Sequence, residues 1–147
     1  MRWLALDVGS RRVGVATCDP EGRVATALRP IPFAGAERLA LEVARLVATW
    51  DAGGVVVGLP ATRAGRGRGE RRVAEVVAAL RVQLAVVVAT EDERGTTAAA
   101  EAELAAAGVP RRRWPELVDG VAARLILEQH LAALAAPPRA GGGAAAD

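Results

Sequence analysis

Residues 54–59 read Gly-Val-Val-Val-Gly-Leu, an apolar run with no alternation of wet and dry positions. A run this short and continuous suits a strand covered on both faces, the usual situation of a parallel strand beneath helices. The flanking segments agree. Upstream, Leu39, Val43, Leu46 and Val47 recur at helical spacing within residues 36–50, and downstream a helix over residues 70–82 leads to a second apolar run at 84–89. Two covered strands joined through a helix predict the parallel half of an α/β sheet.

The amino-terminal third has another rhythm. Residues 2–8 are mostly apolar, and residues 13–18 follow a Gly-Ser-Arg-Arg turn, which reads as a hairpin. A third strand is expected over residues 23–29 after the Asp-Pro-Glu-Gly turn, ended by Pro30 and Pro32. Past the second covered strand come an acidic turn and an alanine-rich helix over residues 96–107. A last helix begins near Pro115, a good first-turn residue, with Leu117, Val118, Val121, Leu125 and Leu131 along one side. The predicted fold is α/β: a five-stranded mixed sheet, the first three strands an antiparallel meander and the last two parallel, flanked by helices. Residues 1–136 are expected to form one domain. Residues 137–147 are Ala, Gly and Pro with one Arg and one Asp, and are expected to be a disordered tail.

Hydrophobic residues make up 52% of the 147, yet no uncharged apolar run approaches the roughly 18 to 20 residues that span a bilayer. The start meets an acid at Asp7, so it lacks the apolar stretch of a signal peptide. A cytoplasmic protein without a membrane partner is expected. The single cysteine, Cys18, excludes an internal disulfide and a cysteine zinc cluster, and is expected as a small buried strand residue. All 19 basic residues are Arg, which raises the pI to about 9.8 at a net charge of only +2. The chain also lacks Tyr and Asn, the mark of a biased genome, so only the placement of Arg bears on a nucleic-acid partner.

Three acidic positions could carry chemistry. Asp7 lies inside an apolar strand, where a carboxylate is normally paired, neutralised or coordinated to a metal; it could also simply cap the following Gly-Ser turn. Glu91-Asp92-Glu93-Arg94 follows the strand at 84–89, and ligand sites of open α/β sheets lie at the carboxyl ends of strands. The same acids also suit the start of a helix that Thr96 or Thr97 would cap. Asp119 falls in the expected first turn of the last helix, where the dipole favours an acid; Gly120 beside it, costly in a helix, hints at close backbone approach. His130, the sole histidine, reads as a surface or packing residue. The loop over residues 63–72 holds five Arg against one Glu, with three glycines, and suits a phosphate backbone as well as it suits solvent. Arg111, Arg112 and Arg113 lead into the helix that carries Asp119, and Trp114 could stack on a base or staple the helix start.

Leu-Ala-Leu-Asp-Val-Gly-Ser-Arg-Arg-Val-Gly-Val-Ala, Val-Val-Gly-Leu-Pro, Asp-Glu-Arg-Gly-Thr-Thr and Val-Asp-Gly-Val-Ala-Ala-Arg-Leu-Ile-Leu-Glu occur in this order. Order and spacing together resemble the YqgF/RuvX family of RNase H-like nucleases over roughly residues 3–134, and four motifs in sequence are far more specific than one. The resemblance implies a site of three carboxylates, Asp7, Glu93 and Asp119, holding Mg²⁺ or Mn²⁺, two ions in all, for hydrolysis of a phosphodiester. Placement rather than resemblance makes Arg63, Arg66, Arg68, Arg94, Arg111, Arg112 and Arg113 the expected nucleic-acid grip. The chain departs from the family pattern at Gly95, where Leu is usual and where a glycine would loosen the turn that aims Glu93. It departs again at residues 61–65, at the Arg stretch 111–113 and at Gly120.

The resemblance implies two substrates, the 5′ end of precursor 16S rRNA during ribosome biogenesis and four-way DNA junctions. The first is the broader implication and makes ribosomal particles a partner. The second calls for a homodimer rather than a monomer, since a junction is two-fold symmetric. A catalytically silent RNA-binding assembly factor is a reading of another class. A nucleotide phosphotransferase, suggested by Asp-Val-Gly-Ser, would need a second such domain to close over its nucleotide, and the chain is too short for two.

Overall fold

The computed structural model describes residues 1–60, 67–92 and 95–136. Strand β1 (Trp3–Val8) pairs antiparallel with β2 (Arg12–Cys18), and β2 pairs antiparallel with β3 (Ala25–Ala27). A short β4 (Ile31–Pro32) also pairs with β2, through Val13↔Ile31 and Arg12↔Pro32. Helix α1 (Ala36–Trp50) precedes β5 (Gly54–Leu59), which runs parallel to β1; α2 (Arg68–Gln83) precedes β6 (Val87–Asp92), parallel to β5. Helix α3 (Thr96–Ala106), a 3-10 turn (Arg111–Arg113) and α4 (Trp114–Ala135) close the described chain. The sheet order is β3-β2-β1-β5-β6, antiparallel in its first part and parallel in its second, as expected.

Several expectations need correction. Among the described residues the sheet has six strands, not five, because residues 31–32 pair where Pro30 and Pro32 were expected only to end a strand. Proline is tolerated there because β4 has no second neighbour that would need its missing N–H. The third strand is confined to Ala25–Ala27, since the Asp19 carboxylate accepts the N–H groups of Arg23 and Val24 at 2.7 Å each and holds those residues in a turn. Strand β6 starts at residue 87 rather than 84, and it is not covered on both faces: it forms an edge, with Val87 56% exposed. Its position follows the pairing register with β5, Gly54↔Val87 through Leu59↔Asp92, which outweighs the apolar run that begins at Leu84.

Side-chain alternation divides the interior into two layers. Leu4, Leu6, Val13, Val15, Val55 and Val57 face α1 and α2, where Leu39, Val43, Val73, Val76 and Leu80 complete the larger core. On the other face Trp3, Ala5, Ala16, Cys18 and Val56 meet Ala123, Ile126 and Leu127 of α4. Cys18 is a buried strand residue, as expected. The contact stripe of α4 is not the predicted one. Its buried residues are Gly120, Ala122, Ala123, Ile126, Leu127 and His130, while Leu117, Val118, Val121, Leu125 and Leu131 are half-buried beside them. Small residues bring the helix backbone close to the sheet, and that closeness builds the site.

Candidate active site

Along β1, Trp3 and Ala5 point toward α4, so alternation puts the half-buried Asp7 on the same face at the carboxyl end of the strand. Asp7 pairs in register with Gly14 of β2. A Cβ built on Gly14 would overlap the carbonyl oxygen and carbonyl carbon of Asp119 and lie 3.0 Å from the Asp119 Cβ. The backbone of α4 at Asp119 therefore rests on β2 directly beside Asp7. Both aspartates come to one end of one face of the sheet. Gly120 serves the same approach, since a Cβ there would stand 3.3 Å from the Ala27 Cβ, and the close backbone contact suspected from the sequence is real.

Asp119 is the sixth residue of α4, in its second turn; Glu116 is the first-turn acid. The helix dipole, felt within the first turn, therefore does not account for Asp119, contrary to the expectation from sequence. Its carboxylate Oδ2 lies 3.4 Å from Arg12 Nε. Burial pushes the Asp119 carboxyl above the ordinary carboxylate range, and the Arg12 guanidinium acts in the opposite direction without cancelling that effect. Arg12 is placed by the hairpin turn: Gly9 N–H donates to the Arg12 carbonyl at 2.9 Å, and a Cβ on Gly9 would stand 2.7 Å from that oxygen. Glycine at 9 and at 14 is thus a steric requirement of the site.

The third expected carboxylate, Glu93, lies outside the described residues, as do Arg94, Arg63 and Arg66. Among the described residues no group of three or more His, Cys, Asp or Glu side chains is close enough to hold a metal ion. Asp92 ends β6 opposite Leu59, at the same end of the parallel ladder as Asp7. Of the basic stretch over residues 63–72, residues 68–72 belong to α2, while residues 63–66 and the Arg68 side chain lie outside what is described. Gly95 has φ +72 and forms the N-cap of α3, so it uses a backbone conformation that leucine rarely adopts; neither Thr96 nor Thr97 is the cap. Arg111, Arg112 and Arg113 are exposed ahead of α4, Arg113 pairing with Glu116 at 3.3 Å. Trp114 Nε1 donates to the Val109 carbonyl at 2.9 Å, and the Arg111 guanidinium lies 4.9 Å over its ring, so Trp114 fastens the helix start.

Sequence reasoning does not single out Arg12 or Gly14, and it places Glu91 in an acidic turn. Glu91 belongs instead to β6, and its Oε1 lies 3.0 Å from His130 Nδ1. Gln129 Nε2 donates to the Asp92 carbonyl at 3.0 Å. His130 is a packing residue, as expected, buried edge-on to Trp3 at 4.5 Å. Glu91, Gln129 and His130 thus tie the edge strand to α4, and only the true strand register could have identified Glu91 as facing inward.

Comparison with known proteins is consistent with this geometry. The family model described as "RuvX: Holliday junction resolvase" matches residues 1–133. A relative from Chloroflexus aggregans named "Putative pre-16S rRNA nuclease" is 43% identical over 129 residues, covering 87% of this chain and 91% of its own. A relative of the same name from Mycobacterium sp. (strain KMS) is 42% identical over 149 residues, covering 97% of this chain and 88% of its own. Among solved structures, the RuvC of T. thermophilus in complex with a Holliday junction substrate shares the fold with a TM-score of 0.60 at 17% identity, over 91% of this chain and 95% of that one. The fowlpox virus resolvase in complex with junction DNA gives 0.58 at 9% identity, over 92% and 100%. These two likenesses establish the RNase H-like fold of the resolvases.

Proposed function

The chain belongs to the RuvX family, and from that membership we propose that it is a nuclease that hydrolyses phosphodiester bonds at the Asp7–Asp119 end of the sheet. The observation that carries this reading is the seat of Asp119 on Gly14 in register with Asp7, which gathers two carboxylates on one face. Glu93, one residue beyond Asp92, is the third member of the proposed set.

A donor set of carboxylate oxygens without cysteine or histidine fits Mg²⁺ or Mn²⁺. Asp7, Glu93 and Asp119 would hold the ions, two in all. When bound, they supply Lewis-acid stabilisation of a phosphate and a more acidic water. The protein's own part is positional. The strand fixes Asp7, the helix packed on Gly14 fixes Asp119, and the raised affinity of the Asp119 carboxyl for a proton reflects a partly buried acid that more positive charge would stabilise. Arg111, Arg112 and Arg113 at the approach to α4, with Arg63, Arg66, Arg68 and Arg94, would grip the phosphates of the strand.

The substrate favoured is precursor 16S rRNA, cut at its 5′ end, since relatives 36–43% identical over most of this chain are named "Putative pre-16S rRNA nuclease", a name that does not itself specify the end. The setting would be cytoplasmic, with ribosomal particles as the partner; among the described residues no helix is long and apolar enough to cross a membrane. The family description supports a second substrate, the four-way DNA junction, whose two-fold symmetry would call for a homodimer. The test is cleavage of labelled precursor rRNA and of a four-way junction side by side with Mn²⁺. Asp7→Asn should abolish cutting while binding persists. Cutting that survives Asp7→Asn overturns the carboxylate site, and binding without cutting by the unaltered chain would assign it to RNA binding alone.

A further inference from the structure

Arg12 stands at the rim of the site in a way that a structural ion pair does not require. Its backbone is held on both sides, by the Gly9 N–H and by pairing with Pro32, while its side chain is 42% exposed. It shares the face of Gly14, two residues on, which is the face α4 covers. The contact with Asp119 is side-on and single, through Nε at 3.4 Å, rather than the two-pronged fork that guanidinium and carboxylate form when they bind tightly. Other ion pairs of arginine among the described residues are with Glu42, Glu116, Glu103 and Glu128.

Resting on the nuclease reading above, we infer that Arg12 is a shared cation of the site, which neutralises Asp119 while no divalent ion is bound and turns to a substrate phosphate once one is. The balance of charge leads there. A carboxylate that is partly desolvated is stabilised in its charged form by a counter-ion, and a guanidinium 3.4 Å away competes with any dication for the same oxygen. The competition is mild, since an exposed single-contact pair is weak. Displaced from Asp119, the guanidinium remains tethered beside the carboxylates with its planar fork available, and that fork matches the oxygens of a phosphodiester. A lysine could neutralise Asp119 as a point charge but could not reproduce the paired contact to phosphate.

The experiment uses the full chain and two readouts. Titration calorimetry with Mn²⁺ alone, without nucleic acid, should show Arg12→Ala binding the ion about two- to fivefold more tightly than wild type, the scale of an exposed ion pair. Arg12→Lys should bind Mn²⁺ as wild type does. In cleavage assays both substitutions should raise KM by about tenfold, the scale of one charge-assisted hydrogen bond, and by more than they lower kcat. A tie serving only to brace α4 would show the reverse, weaker Mn²⁺ binding and a lowered kcat, and that result overturns the inference, as does unchanged Mn²⁺ affinity in Arg12→Ala. Wild-type protein that binds no Mn²⁺ overturns the metal-dependent reading itself, and the role of Arg12 with it.

Discussion

Asp119 and Gly14 share one volume: the space a side chain at residue 14 would fill is taken by the carbonyl group of Asp119. Neither residue can be understood without the other. The missing Cβ lets α4 descend onto β2, and the descent seats Asp119 on Gly14, the strand partner of Asp7.

Gly14→Ala should therefore damage both fold and site. Forcing a methyl group into a packed helix–strand contact costs about 1–3 kcal/mol. Denaturant unfolding should record that loss, and cleavage measured well below the melting transition should fall further than the smaller folded fraction explains, because α4 must shift to make room. A variant with full activity would show that the closeness of α4 is not needed.

Replacement of Arg111, Arg112 and Arg113 by Ala should weaken nucleic-acid binding without regard to sequence. For every phosphate that one of these side chains grips, its removal should reduce the slope of log affinity against log salt by about 1. These residues are exposed, so the melting temperature should hardly move. An unchanged salt slope returns the three arginines to solvent.

Asp19 provides a pH-dependent element far from the chemistry. The Val24 N–H above all, and then the Arg23 N–H, hold its carboxyl below the ordinary value of 3.8, with desolvation acting in the opposite direction. A depressed folded pKa means that the stabilisation is complete above the unfolded value and is lost as pH falls through the folded one. Asn at position 19 keeps the accepting oxygen and lacks the titration. Melting temperatures of wild type and Asp19→Asn should therefore converge as pH drops below about 4; a gap that stays constant from about pH 6 to about pH 3 would exclude this contribution.

His130→Ala should destabilise by about 2 kcal/mol, because it empties a buried site against Trp3 and strips Glu91 of one of its two partners, leaving Gln129. His130→Phe keeps the ring packing and still removes the tie, so it should retain part of the stability. Hydrogen exchange should show faster opening of β6 in both variants, since an edge strand has a single ladder to hold it.

The sequence by itself determined the order and kind of the main elements, the two-residue β4 and the 3-10 turn excepted. Residues 36–50 form a helix and residues 54–59 a strand with the expected bounds, because amphipathic period and an unbroken valine run are local signals. It also singled out Asp7 and Asp119, an acid within an apolar strand and an acid beside a helical glycine, although the three-carboxylate set came from resemblance to a family. Tertiary structure decided the rest. The strand over residues 87–92 took its place from its ladder with β5, which carried Glu91 out of the expected turn and against His130. Arg12 and Gly14 belong to the site only because a helix from the far end of the chain lies on them. Local pattern records what each segment can become, but contact between distant segments depends on how closely their surfaces fit, and here the fit turns on a side chain that is absent.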